Sequence, residues 1–248
     1  MRYFGEISFH GGSYCGWQSQ KNHVVTVQST IEVVLSTLLR KVTPITGCGR
    51  TDSGVHAKHY YFHFDAEEDP VKWIYKFNTM LPGDIVLHSI FPVHVDAHAR
   101  FDAISRTYHY YFHTEKNPFK EGLSYYYRWP VKDAALLREA ASMILDYQDF
   151  TSFCKSKSDV VRKVCHVSES FWEEVEPGVW KYTITSNRFL RGMVRLIVGM
   201  CLQVQRGKTT LTEVRNSIES QLLLKRSWSV PPEGLYLDKI RYPWMEAG

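Results

Sequence analysis

Three glycines crowd the stretch Gly47-Cys48-Gly49-Arg50-Thr51-Asp52-Ser53-Gly54-Val55-His56-Ala57, and they permit a tight backbone that gathers polar side chains in one short loop. Within it the carboxylate of Asp52 stands two residues from the guanidinium of Arg50. A neighbouring cation favours the ionised form of an acid, which a carboxylate nucleophile or base requires. The same residues also suit a plain turn, with Asp52 capping backbone amides and Arg50 as its surface partner. Loop composition alone does not separate the two.

The elements around the loop must position it. Residues 2–9 alternate as a strand that ends in the turn Gly11-Gly12-Ser13. From Thr26, a candidate N-cap, Val27, Ile31, Val34, Leu35 and Leu38 follow the helical period to about residue 40. Segments 43–47 and 58–64 read as strands on either side of the loop. A helix over 70–80, with proline in its first turn, is broken by Leu81-Pro82-Gly83-Asp84 before a strand over 85–91. The second half restarts with a strand over 105–113, a helix over 133–145, strands over 164–171 and 180–186, and an apolar helix over 190–205. Each half approximates the split-βαβ order. This predicts an α+β fold of two similar ferredoxin/RRM-like domains, 1–100 and 101–248, whose antiparallel sheets join around a central cleft.

With 248 residues and 44% hydrophobic content, the chain can bury roughly 70–75% of its unfolded surface without staples. No apolar run approaches the roughly 20 residues that span a bilayer, and the start Met1-Arg2-Tyr3-Phe4-Gly5-Glu6 lacks a secretory apolar core, so neither a membrane nor a secreted class is expected. Five separated cysteines without a C-x-x-C pair predict no disulfide framework and fit a reducing cytoplasm. The formal charge of +4 is uneven: residues 1–100 hold 9 basic and 9 acidic side chains, residues 101–248 hold 21 and 17, and residues 151–226 hold 13 and 7. Such a local basic field suits a polyanion as well as a solvated surface. The 13 Phe, 7 Trp and 15 Tyr exceed what a core of this size asks for, and stacking on exposed bases could use the surplus.

The segment from Gly49 to Ala57 resembles the active-site motif of the tRNA pseudouridine synthase A family. The resemblance runs through nearly the whole chain, in the family's order: Gly16-Trp17-Gln18, Thr26-Val27-Gln28, Leu81-Pro82-Gly83-Asp84, His98-Ala99-Arg100-Phe101, Asp149-Phe150-Thr151-Ser152-Phe153, Met193-Val194-Arg195 and Glu233-Gly234-Leu235-Tyr236-Leu237. It implies a two-domain homodimer with a basic cleft shared between subunits. It further implies tRNA as partner, no metal or organic cofactor, and conversion of uridines 38, 39 and 40 of the anticodon stem-loop to pseudouridine. That conversion breaks the N1–C1′ bond, turns the trapped uracil and rejoins it through C5.

By the same resemblance Asp52 is the catalytic aspartate, attacking C1′ or C6 or removing the C2′ proton, three routes that the sequence leaves open. Arg195, on the helix read as containing Arg188 and Arg191 as well, matches its salt-bridge partner. Tyr108 matches the tyrosine that stacks on the flipped uracil and is a candidate to take the C5 proton, although an unperturbed phenol near pKa 10 is a poor base at neutral pH. Leu235 matches an apolar residue against the base. Extruding a nucleotide costs a few kcal/mol, to be offset by RNA contacts at Arg50, His98, Arg100, Phe101, Lys116, Lys155 and Lys157, with Arg100 and Phe101 filling the space the base leaves. The chain departs from the family pattern at Cys154, where arginine is usual, and at Ser53, where alanine is commoner.

Three other readings compete. Asp52-Ser53-Gly54 is also the triplet of aspartic proteases, but those pair two such carboxylates on β-rich lobes behind an apolar lead-in, whereas Gly49-Arg50-Thr51 leads in here. His56, His59 and His63 have an inviting metal spacing, yet no paired Asp, Glu or Cys completes a set, and packed or surface histidines are expected beside Tyr60, Tyr61 and Phe62. A non-catalytic RNA-binding module would share the basic and aromatic features without needing Asp52.

Overall fold

The computed structural model describes residues 1–20, 24–154, 162–225 and 228–245. In chain order the elements are β1 (Arg2–Phe9), α1 (Val27–Leu39), β2 (Thr46–Gly47), β3 (His56–Asp65), α2 (Ile74–Met80), β4 (Ile85–Val93), β5 (Ser105–His113), β6 (Tyr125–Tyr126), α3 (Ala134–Ser142), β7 (Val167–Glu176), β8 (Val179–Ser186), α4 (Met193–Gln205), α5 (Leu211–Glu219) and β9 (Leu235–Arg241). The fold is α+β, and it divides into two units, Met1–Ile104 with Tyr236–Gly248, and Ser105–Leu235.

In the first unit the strand order is β4-β1-β3-β9. β1 runs antiparallel to both β3 and β4, and β9 joins β3 in parallel through His56↔Tyr236 and Ala57↔Leu237. Helix α1 starts where the sequence says it should: the Thr26 hydroxyl accepts the Ser29 amide in a capping box, which satisfies amide donors that the first turn leaves unpaired. Its buried residues Val27, Ile31, Val34 and Leu35 keep the helical period, and a left-handed Arg40 ends it. They share the core with Phe4, Ile7, Phe62, Phe64 and Phe77.

The predicted strand over 43–47 shrinks to the two residues of β2. Upstream of it the Thr43 amide donates to the Ser36 hydroxyl at 2.9 Å and the Ile45 amide to the Glu32 carboxylate at 3.1 Å, so α1 takes the groups a ladder would have used. The helix predicted over 70–80 opens as a 3-10 turn, Val71–Trp73, before α2.

In the second unit β5 pairs antiparallel with β8, and β8 with β7, while β6 lies parallel on β5. The sheet strands are therefore mixed, with β9 parallel to β3 and β6 parallel to β5, where all-antiparallel pairing was expected. Helix α4 is buried along nearly its whole length, from Met193 to Gln205. It begins only after Gly192, whose φ of 74° stops the helix from reaching back to residue 190. The helix predicted to 145 ends at Ser142 and continues as the 3-10 turn Met143–Asp146. Three elements had no counterpart in the sequence reading: β6, α5 and β9. Among the described residues no helix is long and apolar enough to cross a membrane. Cys15 is exposed, and Cys48, Cys154, Cys165 and Cys201 are buried.

Candidate active site

The Asp52 loop hangs between β2 and β3, whose registers Thr46↔His63 and Gly47↔Phe62 fix its two ends. The Cys48 amide donates to the Tyr61 carbonyl at 2.8 Å, and the Tyr60 hydroxyl donates to the Gly49 carbonyl at 2.5 Å. From there the segment 11–17 serves as the cradle. The Trp17 amide donates to the Thr51 carbonyl at 3.4 Å, and the Gly54 amide and Ser53 hydroxyl donate to the Tyr14 carbonyl at 3.4 and 3.1 Å. A turn closes the loop, with the Val55 amide on the Asp52 carbonyl at 3.2 Å. Asp52 itself is half-buried and Arg50 exposed.

The cradle is held in turn by the second motif, Leu81-Pro82-Gly83-Asp84. The Tyr14 hydroxyl donates to the Asp84 carboxylate at 2.6 Å, and the His10 amide to the Asp84 carbonyl at 2.8 Å. Burial, and then the Asp84 hydrogen bond and charge, push the Tyr14 phenol far above its ordinary range, so it stays a donor. Gly16, with φ of 83°, passes so close to the loop that a Cβ there would sit 2.5 Å from the Thr51 carbonyl oxygen. On the other side a pocket of about 110 Å³ is lined by Gln18, Gln28, Gly49, Arg50 and Arg100, among others. Gln28, buried on α1, accepts from the Gln18 carboxamide at 2.7 Å and donates to the Glu32 carboxylate at 2.9 Å, which locks Gln18 in place.

The three histidines of β3 have separate duties. His56 accepts the Gly11 amide at 3.0 Å and stacks on Tyr236, His59 pairs with Glu6 at 2.7 Å, and His63 accepts the Ala99 amide at 3.1 Å. Burial, helped by the charges of His98 and Arg2, lowers the His63 pKa to about 4. Between the ordinary value of about 6.5 and that lower value, the unfolded chain takes up a proton that the folded chain refuses. Stability is therefore full above pH 6.5 and falls as pH drops towards 4, by on the order of 3 kcal/mol. Urea midpoints at pH 7.5 and 4.5 test this: His63→Asn keeps an acceptor but cannot titrate, and its loss between the two pH values should be clearly smaller.

The second unit carries Tyr108, Arg195, Leu235 and Lys116. Tyr108 lies on β5 opposite Ile184, is buried, and meets Phe189 edge to face at 5.0 Å. Arg195, in the first turn of α4, donates through Nε to the Val230 carbonyl at 2.6 Å, and the Val230 amide returns to the Arg195 carbonyl at 3.3 Å. The strand of chain leading to Leu235 is pinned on β5 as well: the Tyr110 hydroxyl donates to the Pro231 carbonyl at 2.9 Å, and a Cβ on Gly234 would stand 2.4 Å from the Tyr111 carbonyl oxygen. Burial and then the Glu233 charge push the Tyr110 phenol well up, with Arg195 opposing. Leu235 is buried and Lys116 exposed.

The first unit thus carries Asp52, Arg50, His98, Arg100 and Phe101, with Arg50 and Arg100 on one pocket and His98 against Phe101, and the second ties Arg195 to the segment that ends in Leu235. Lys155 and Lys157 lie outside the described residues. Cys154 is buried behind the 3-10 turn Thr151–Phe153. Sequence reasoning missed Tyr14, Tyr60 and Asp84 as the residues that hold the loop, and Gln28 as the residue that holds Gln18. Asp84 and Gln28 sat inside quoted motifs, which was the available signal; Tyr14 and Tyr60 carried none.

The family model for tRNA pseudouridine synthase matches residues 140–243. Tyr108 and the Asp52 loop precede that match, but similarity to individual relatives spans both. The chain is 45% identical over 246 residues to tRNA pseudouridine synthase A of Parabacteroides distasonis, covering 98% of this chain and 96% of that one. It is 43% identical over 247 residues to the enzyme of the same name from Porphyromonas gingivalis, with 98% and 97% covered. With tRNA pseudouridine synthase A of Staphylococcus aureus MRSA252 the identity is 34% over 244 residues, with 97% and 91% covered.

Proposed function

The chain belongs to the tRNA pseudouridine synthase A family, and on that premise we propose that it isomerises uridines 38, 39 and 40 of the tRNA anticodon stem-loop to pseudouridine, with Asp52 as the catalytic carboxylate. The observation that carries this reading is that the acid-bearing loop is braced on several sides, by Trp17 of a segment the resemblance singles out and by Tyr14 and Tyr60 outside those segments. A carboxylate that must meet one carbon of an extruded nucleoside has to be pre-positioned, since misplacement by 1 Å costs much of the rate. The Tyr14, Trp17 and Tyr60 bonds to the loop backbone supply that rigidity.

In this mechanism Asp52, charged and paired with Arg195, attacks C1′ or C6 or removes the C2′ proton. The glycosidic bond opens, the uracil turns while stacked on Tyr108 and packed by Leu235, and it rejoins through C5. The C5 proton then leaves to water while N1 takes up a proton, so composition and oxidation state are unchanged and the reading calls for no cofactor. Arg50, His98, Arg100, Phe101, Lys116, Lys155 and Lys157 bind the RNA, and the exposed Phe101 with Arg100 fills the gap in the stem. The domains of this reading are 1–100, carrying the aspartate loop, and 101–248, basic and completing the site, each of split-βαβ type around a central cleft. The working form is a cytoplasmic homodimer.

Purified protein incubated with unmodified tRNA labelled with tritium at uridine C5 is expected to release tritium to water, one equivalent per pseudouridine formed. Tight tRNA binding without any release would instead favour the RNA-binding module.

A further inference from the structure

The loop 97–102 ends in an exposed tip: Phe101 is 74% exposed and Arg100 lies over its ring at 5.6 Å. A tip of this kind has little packing to hold its backbone, yet every turn of it is bonded. The Nδ1 of His98 accepts the Arg100 amide at 3.1 Å and the Phe101 amide at 3.3 Å. Nδ1 of buried His63 accepts the Ala99 amide at 3.1 Å, and the Tyr242 hydroxyl donates to the Ala99 carbonyl at 2.5 Å. Asp102 closes the loop by accepting the His98 amide at 2.7 Å. The two rings meet edge to face at 4.7 Å, and the other side of His98 lies against Phe101 at 4.2 Å.

We infer that His63 and His98 are positioning residues for tRNA recognition, two neutral imidazoles that clasp the backbone of residues 99–101 so that Arg100 stands with Arg50 at the pocket beside the Asp52 loop and Phe101 points outward. The inference rests on the proposed RNA contacts of Arg100 and Phe101, and it gives His98 its part in RNA binding through the backbone of that turn. Its chemistry is that of a side chain accepting from the amides two and three residues ahead, as in an Asx turn. A ring that accepts at Nδ1 carries its proton at Nε2, and a second proton would turn the acceptor into a donor facing donors. The charged groups facing His98 are His63, Asp102, Arg2 and Arg100, and His63 also faces Asp65. Burial holds both imidazoles below their ordinary pKa, so the clasp is closed at neutral pH and opens in acid.

The test compares wild type with His98→Ala, His98→Asn and Arg100→Ala at pH 7.5, reading KM for tRNA, kcat, and amide hydrogen exchange at residues 99–101. His98→Ala is expected to raise KM about tenfold with kcat changed by less than about threefold, and to speed exchange at Arg100 and Phe101. His98→Asn places a carbonyl oxygen where Nδ1 was and should recover most of both effects, and its KM should rise less steeply than that of wild type as pH falls from 7 to 5. If Arg100→Ala raises KM while His98→Ala changes neither KM nor exchange, the clasp is overturned and the RNA contact stands. If Arg100→Ala leaves KM unchanged, the RNA contact itself is wrong, and the clasp loses its role in recognition whatever the exchange shows.

Discussion

Asp52→Ala is expected to lower tritium release from C5-labelled tRNA by at least about a thousandfold, because in the proposed mechanism it removes the group that attacks or deprotonates and no neighbouring acid replaces it in the loop sequence. Affinity for tRNA should change by less than about threefold, since a single half-buried carboxylate adds little to binding that phosphate contacts dominate. The backbone bonds at Gly49, Thr51, Asp52 and Gly54 and the Ser53 hydroxyl bond are left in place by an alanine at 52, so the loop should keep its fold. A variant that bound tRNA normally and still released tritium near the wild-type rate would remove Asp52 from the chemistry.

Gly16→Ala is expected to damage both stability and turnover although residue 16 touches no substrate. Two costs combine. The backbone at φ of 83° penalises any side chain, by about 1 kcal/mol or more. The new methyl would also stand 2.5 Å from the Thr51 carbonyl oxygen and 3.3 Å from the Ser53 amide nitrogen, and a backbone atom cannot swing aside, which adds roughly 1–3 kcal/mol of overpacking. The cheapest relief is for the loop to move, and with it Asp52, so turnover should fall by at least about tenfold. Gly83→Ala is the control, because nothing lies within 4 Å of a Cβ there. It should stay within about 0.5 kcal/mol of wild type. Equal urea midpoints for the two variants would contradict the close approach of residues 16 and 51.

Local pattern made part of this architecture legible. β1 and β5 have the limits their alternation suggests, and α1 starts at the cap that Thr26 announces. α5 left a signal that went unread: the spacing Thr210 to Glu213 is a capping box, ahead of the apolar positions Val214 and Ile218. β9 left none, because its parallel pairing with β3 joins His56 to Tyr236, and nothing in a local window marks so distant a partner. The site divides in the same way. Asp52, Arg50 and Arg195 could be proposed from motifs, since the proposed chemistry restricts residue type. Their supports could not, since a hydrogen bond from Tyr14 to Asp84 spans 70 residues and one from Tyr60 to Gly49 uses only a carbonyl that every residue possesses. His63 and His98 were visible, His63 within a rejected metal spacing and His98 within a matched segment; what was hidden was that each accepts a backbone amide of one loop.

Position-resolved pseudouridine mapping of unmodified tRNA, after incubation with the purified wild-type protein or with Asp52→Ala, reads the outcome at each nucleotide. Wild type should convert uridines at 38, 39 and 40 and leave the rest of the molecule unchanged, and the variant should convert none. Conversion confined to other positions, or the same pattern from both proteins, would contradict the account.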